Sequence, residues 1–109
     1  MSRKDLDNLT AEVQKLGAGG LGWMRIKEGS LDGGIAKNFS DESKRALCGE
    51  LGGQDGDMAL LIGGPAKSTY ASMAYLRNRL GEECGWKKAD QFAFSWVIDF
   101  PLFSWNADE

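Results

Sequence analysis

One stretch of the chain has the shape of a phosphate-binding loop. Ile62-Gly63-Gly64-Pro65-Ala66-Lys67-Ser68 joins an apolar run to a helical pattern and ends in Lys-Ser. Cradling a phosphate there requires Gly immediately before the Lys and another five residues earlier, so that backbone N–H groups can converge on the anion. Those positions hold Ala66 and Leu61, and a tight turn with Pro65 at the first position of a helix explains the residues better. Arg77 and Arg79, with Lys87 and Lys88 further on, offer a second chemistry: a small basic edge touching nucleic-acid phosphates. Against it, Glu82 and Glu83 dilute the positive field, and the same cations serve as solvated charge complementing a helix end, with Arg77 laying its stem on the core. Asp55-Gly56-Asp57 is too sparse in acids for a calcium loop and reads as a turn. Trp23 and Trp96 could stack bases, but both sit in strand patterns, where such residues more often pack.

No His occurs, which removes the commonest general base and metal ligand. Cys48 and Cys84 are far apart and form no C-x-x-C pair, so both are expected to be inert reduced thiols behaving as small buried hydrophobes. No nucleophile can be paired with a base. The expected inventory is therefore no catalytic, cofactor-binding or metal residue, with Arg77, Arg79, Lys87 and Lys88 as candidate nucleic-acid contacts. The net charge of −3 excludes a basic nucleic-acid module by composition and leaves only local patches. A chain of 109 residues makes one domain, burying roughly 65% of its unfolded surface. The N-terminus has no apolar signal region and no apolar run nears membrane-spanning length, so the expected setting is cytoplasmic, without a membrane.

The elements that must position these residues follow from periodicity. Leu6, Leu9, Val13 and Leu16 predict a helix over residues 3–16, stopped by Gly17-Ala18-Gly19-Gly20. Met24 and Ile26 alternate with Trp23, Arg25 and Lys27 as a strand with one wet face, and residues 28–34 read as a loop. Ser40, Asp41 and Glu42 open a helix that Gly52-Gly53 closes. Met58-Ala59-Leu60-Leu61-Ile62 reads as a central strand covered on both faces. The next helix, to about residue 81, presents Tyr70, Met73, Ala74, Arg77 and Leu80 on one side. A polar connection then leads to the most patterned segment of all. Phe92, Phe94, Trp96, Ile98 and Phe100 share one face of an extended run, Ala93, Ser95, Val97 and Asp99 the other, and Pro101 ends it. Helices alternating with strands predict parallel βαβ units when taken alone.

Five segments, in order, carry a resemblance. They are Gly17-Ala18-Gly19-Gly20-Leu21-Gly22-Trp23; Ile35-Ala36-Lys37-Asn38-Phe39-Ser40; Asp55-Gly56-Asp57-Met58; Leu76-Arg77-Asn78-Arg79-Leu80-Gly81; and Trp96-Val97-Ile98-Asp99-Phe100-Pro101-Leu102-Phe103. Together they resemble the insertion domain of bacterial-type aspartyl-tRNA synthetases, the GAD domain also found in the B and E subunits of tRNA-dependent amidotransferases. The last segment is similar to the W-V-x-D-F-P-x-F stretch that leads, in the synthetases, back into the class II catalytic domain, and so favours that parent. The family usually has Ala in place of Gly22 and aromatics in place of Leu60 and Leu61.

The resemblance implies an α+β fold, a two-layer sandwich of helices on a mostly antiparallel sheet, overruling the parallel expectation. It implies a GAD domain over residues 1–100, with residues 101–109 beginning re-entry into the catalytic body. It also implies a homodimeric parent that uses ATP and Mg2+ to attach aspartate to tRNA(Asp), partnered here by the remainder of the synthetase chain. The class II signature residues have no counterpart in this sequence, so no catalytic role carries over. An amidotransferase module and a free-standing adaptor that recruits a protein through its aromatic strand are the alternatives. If residues 96–103 are such a re-entry strand, then Leu102, Phe103 and Trp105 should lack cover within this chain.

Overall fold

The computed structural model describes residues 1–103. Helix α1 (Arg3–Lys15) starts with a reciprocal cap: the Asp5 N–H donates to the Ser2 hydroxyl at 3.2 Å and the Ser2 N–H donates to the Asp5 carboxylate at 2.7 Å. These bonds hold the Asp5 carboxyl below its ordinary value. Leu6, Leu9 and Val13 form the buried face, and Leu16 falls at the C-cap.

Strand β1 (Gly22–Lys27) turns Met24 and Ile26 inward and Arg25 and Lys27 outward, as the alternation predicts. The expected loop that follows contains a strand, β2 (Ser30–Asp32), joined to β1 by the two-residue turn Glu28-Gly29. Both turn residues have positive φ, 51° and 69°, the mirror-image turn whose twist suits a hairpin. Glu at the first position hides that turn from sequence reading, because it has no special ease at positive φ. A distant residue supplies the compensation. The Asp55 carboxylate accepts from the Glu28 and Gly29 N–H groups at 3.0 and 3.3 Å.

A single 3-10 turn (Ala36–Asn38) leads to α2 (Asp41–Leu51), capped by the Ser40 hydroxyl and ended by Gly52 in the left-handed region, as expected. Strand β3 (Met58–Leu61) follows, and the sheet order is β2-β1-β3 with both pairings antiparallel. The parallel expectation thus gives way to the α+β fold that the resemblance implies. β3 is also an edge strand, not a central one. The apolar run 58–62 serves two cores, one met by β3 and the other by the residue after it. Ala59 and Leu61 pack with Met24, Ile26, Leu31, Ala36 and Cys48. Just beyond the strand, Ile62 packs with Leu9, Val13, Ala18 and Leu76. A Cβ at Gly22 would lie 2.6 Å from Ile35 Cδ1, so the Ala usual in the family would require that flexible side chain to swing aside.

Helix α3 (Ala66–Glu83) takes Pro65 as its N-cap, one position earlier than expected. Its inward face differs from the predicted one. Ser72 and Leu76 are buried and Tyr75 and Leu80 half-buried, whereas Ala74 and Arg77 are exposed and Tyr70 is 73% exposed. The sequence reading centred the stripe on bulky residues. Instead the small Ser72 faces α1, its hydroxyl 3.5 Å from the Val13 carbonyl.

Residues 92–100 form no strand. Phe94 and Trp96 are 96% and 95% exposed, and Phe92, Ile98 and Phe100 are nearly as open. The expected strand fails because no edge of the sheet pairs with it, and Asp99 at φ 54° interrupts the extended backbone. Leu102 and Phe103 are exposed, as expected beyond Pro101, and Trp105 lies outside the described residues.

Candidate nucleic-acid interface

The C-terminal end of α3 gathers most of the basic candidates. Gly85, at φ 68°, lets the chain reverse after the Cys84 cap. Trp86 and Lys87 then both donate their N–H groups to the Gly81 carbonyl, at 2.9 and 3.0 Å. This pins the next residues against the flank of the helix. The result is an open cleft of about 750 Å³ with Arg77 and Asn78 on its helical wall and Trp86, Lys87, Lys88, Gln91 and Phe92 opposite.

Of the four cations singled out in the sequence, three line this cleft. Arg79 does not: two residues from Arg77, it lies on a different side of the helix. Its guanidinium pairs with Glu83 at 2.8 Å beside Asp5, Glu12 and Lys15 of α1. Within the cleft, Lys87 Nζ bonds Glu82 at 2.7 Å, and that bond and charge hold the Glu82 carboxyl below its ordinary value. Arg77 and Lys88 make no ion pair among the described residues. Arg77 is exposed and does not lay its stem on the core.

The other candidates have local explanations. The Ser68 hydroxyl donates to the Pro65 carbonyl at 3.1 Å, so residues 62–68 form a strand-to-helix turn. Asp57 accepts from the Gln54 N–H at 2.8 Å, closing its own loop, while Asp55 holds the β1–β2 turn. Trp23 is half-buried against Gly33 and Gly34, and a Cβ on Gly34 would stand 1.9 Å from the Trp23 carbonyl oxygen. Trp96, expected to pack, is open to solvent. Cys48 is buried as expected but Cys84 is exposed; both thiols are free. Among the described residues, no three Cys, Asp or Glu side chains converge as metal ligands, and no helix is long and apolar enough to cross a membrane.

The sequence reading missed Asn78, Trp86, Gln91 and Phe92 as neighbours of these cations. The signal was the helix stop at Gly85 directly followed by Trp86-Lys87-Lys88, an aromatic next to paired charges.

The GAD domain family matches residues 1–73. The aspartate–tRNA ligase of Listeria monocytogenes serotype 4b is 41% identical over 107 residues, covering 98% of this chain and 18% of that protein. The aspartate–tRNA(Asp/Asn) ligase of Hydrogenobaculum is 38% identical across 100% of this chain and 18% of its own length. The ligase of the same description from Treponema denticola is 37% identical over 99% of this chain. The chain therefore spans about a fifth of the length of the curated relatives it matches, 18% in each case.

Proposed function

This chain belongs to the GAD domain family, and from that premise we propose that it is the insertion domain of an aspartate–tRNA ligase and sits beside the tRNA. The observation that carries the reading is where the similarity runs. The family match ends at residue 73, whereas the Hydrogenobaculum ligase aligns with the whole chain, including the segment 96–103. Similarity past the shared domain favours a synthetase parent over an amidotransferase subunit or a free-standing adaptor.

In this reading the parent is a class II, homodimeric cytoplasmic enzyme that activates aspartate with ATP and Mg2+ and esterifies it to tRNA(Asp). The residues described here do not fit ATP or Mg2+: no acid cluster is available for the ion, and Ala66 and Leu61 occupy the positions where a phosphate loop needs glycine. The contribution of this domain is accessory, with Arg77, Lys87 and Lys88 offering phosphate contacts along the cleft. Relatives named aspartate–tRNA ligase and aspartate–tRNA(Asp/Asn) ligase match at 41% and 38% identity, so we place the choice of tRNA outside this segment.

Aspartate-dependent pyrophosphate exchange tests the proposal. The full-length protein containing this chain should catalyse it and the 109-residue chain alone should not. Exchange by the short chain, or a coding sequence that continues into no class II motif, would overturn the reading. The chain's own affinity for tRNA should be weak and fall with salt, since few phosphates can be neutralised. Nanomolar binding that persists at high salt would show a larger RNA site than this cleft.

A further inference from the structure

We infer that the cleft at the end of α3 takes an unpaired nucleotide, its base on Trp86 and its phosphates between Arg77 and Lys88, in preference to the backbone of a duplex. The inference rests on the RNA-facing reading above and names the kind of RNA.

Three features point to it. Every charged side chain lining the cleft is cationic, in a chain of net charge −3. With Lys87 engaged by Glu82, Arg77 and Lys88 remain for flanking phosphates. Trp86, 76% exposed, stands in the same wall. A duplex presents phosphates but keeps its base faces stacked away, whereas an unpaired base can lie on an exposed ring and be read along its edge. Asn78 and Gln91 place side-chain amides there to do so. Asn78 Nδ2 donates to the Ala74 carbonyl at 3.1 Å, which leaves its amide oxygen free to accept. The two bonds to the Gly81 carbonyl fix the Trp86 wall before any ligand arrives. The volume, about 750 Å³, falls within the range of sites that enclose a small organic ligand.

Fluorescence anisotropy of the 109-residue chain with two labelled probes, an unstructured RNA octamer and a blunt RNA duplex of equal charge, tests this. The octamer should bind more tightly. Its affinity should fall with salt on a log–log slope of roughly −1.4, two phosphates at about 0.7 each. Trp86→Ala should weaken the octamer about tenfold or more while leaving the duplex unchanged; Trp86→Phe, which keeps a ring, should restore most of the loss. Because Trp86 is exposed, its variants should keep the parental urea midpoint. Equal or tighter duplex binding, or an unaffected Trp86→Ala, would overturn the unpaired-nucleotide assignment and leave the RNA-facing reading standing. Binding of neither probe at low salt would overturn both.

Discussion

Two stretches of this chain alternate large apolar side chains with other residues, and they end in opposite environments. In β1, Met24 and Ile26 are buried, with β2 and β3 hydrogen-bonded along its two edges. In residues 92–100, the rings of Phe94 and Trp96 face solvent and no strand pairs with the backbone. Alternation defines a face; burial needs a ladder beside it and a layer over it. Exposed apolar side chains in such number suit an interaction surface, and under the proposed function the catalytic body of the parent would supply their cover.

The contrast can be broken at several points. Met24→Ala should cost the most, about 3 kcal/mol, through a cavity in the fully buried heart of β1; urea unfolding would measure it, and a change near zero would mean that this core is not packed as described. Asp55→Ala should cost about 1.5 kcal/mol, because it removes a charged acceptor from two turn N–H groups, one of them on a non-glycine residue at positive φ. Glu28→Gly in the Asp55→Ala background should recover part of that loss.

Smaller effects come from the α1–α3 seam and the exposed segment. The Tyr75 hydroxyl donates to Glu12, and this bond, with the burial and the nearby negative charge, raises the Tyr75 phenol above its ordinary value. The sign follows from linkage: the contribution is complete below the ordinary phenol value and is lost as pH rises through the raised one. Ultraviolet titration should find Tyr75 ionising above the ordinary phenol value, and Glu12→Gln should bring it back towards that value. Trp96→Ala should change the stability of the isolated chain by less than about 0.5 kcal/mol, since an exposed ring has no contacts to lose. A larger loss would show that residues 92–100 do pack on their own domain.

What could be read in advance was what local chemistry determines. The Ser40 cap, the Gly52 stop and the inward pair Met24 and Ile26 are each set by a few neighbouring residues. Strand order was not legible, because helices alternating with strands suit a parallel sheet as well as an antiparallel one. β2 was hidden by a turn whose stabilising carboxylate lies 27 residues downstream. The inward face of α3 was misread because the close contact with α1 is made by Ser72, a residue that carries no hydrophobic signal. At the candidate site the cations were visible in the sequence, but their grouping depended on the helical spacing that turns Arg79 away from Arg77 and on the chain reversing at Gly85, which brings Trp86 to Arg77.

The carboxylate of Asp55 also bears on the order in which this domain assembles. A two-residue hairpin is ordinarily a local, early event, complete within microseconds. Here the turn between β1 and β2 contains an unfavourable Glu28, and its stabilising partner arrives only after α2 has been traversed. Closing the hairpin thus becomes a non-local step that carries the loop-closure entropy of the intervening chain. Asp55→Ala should accordingly speed unfolding and leave the folding rate almost unchanged, the signature of a contact made after the rate-limiting barrier.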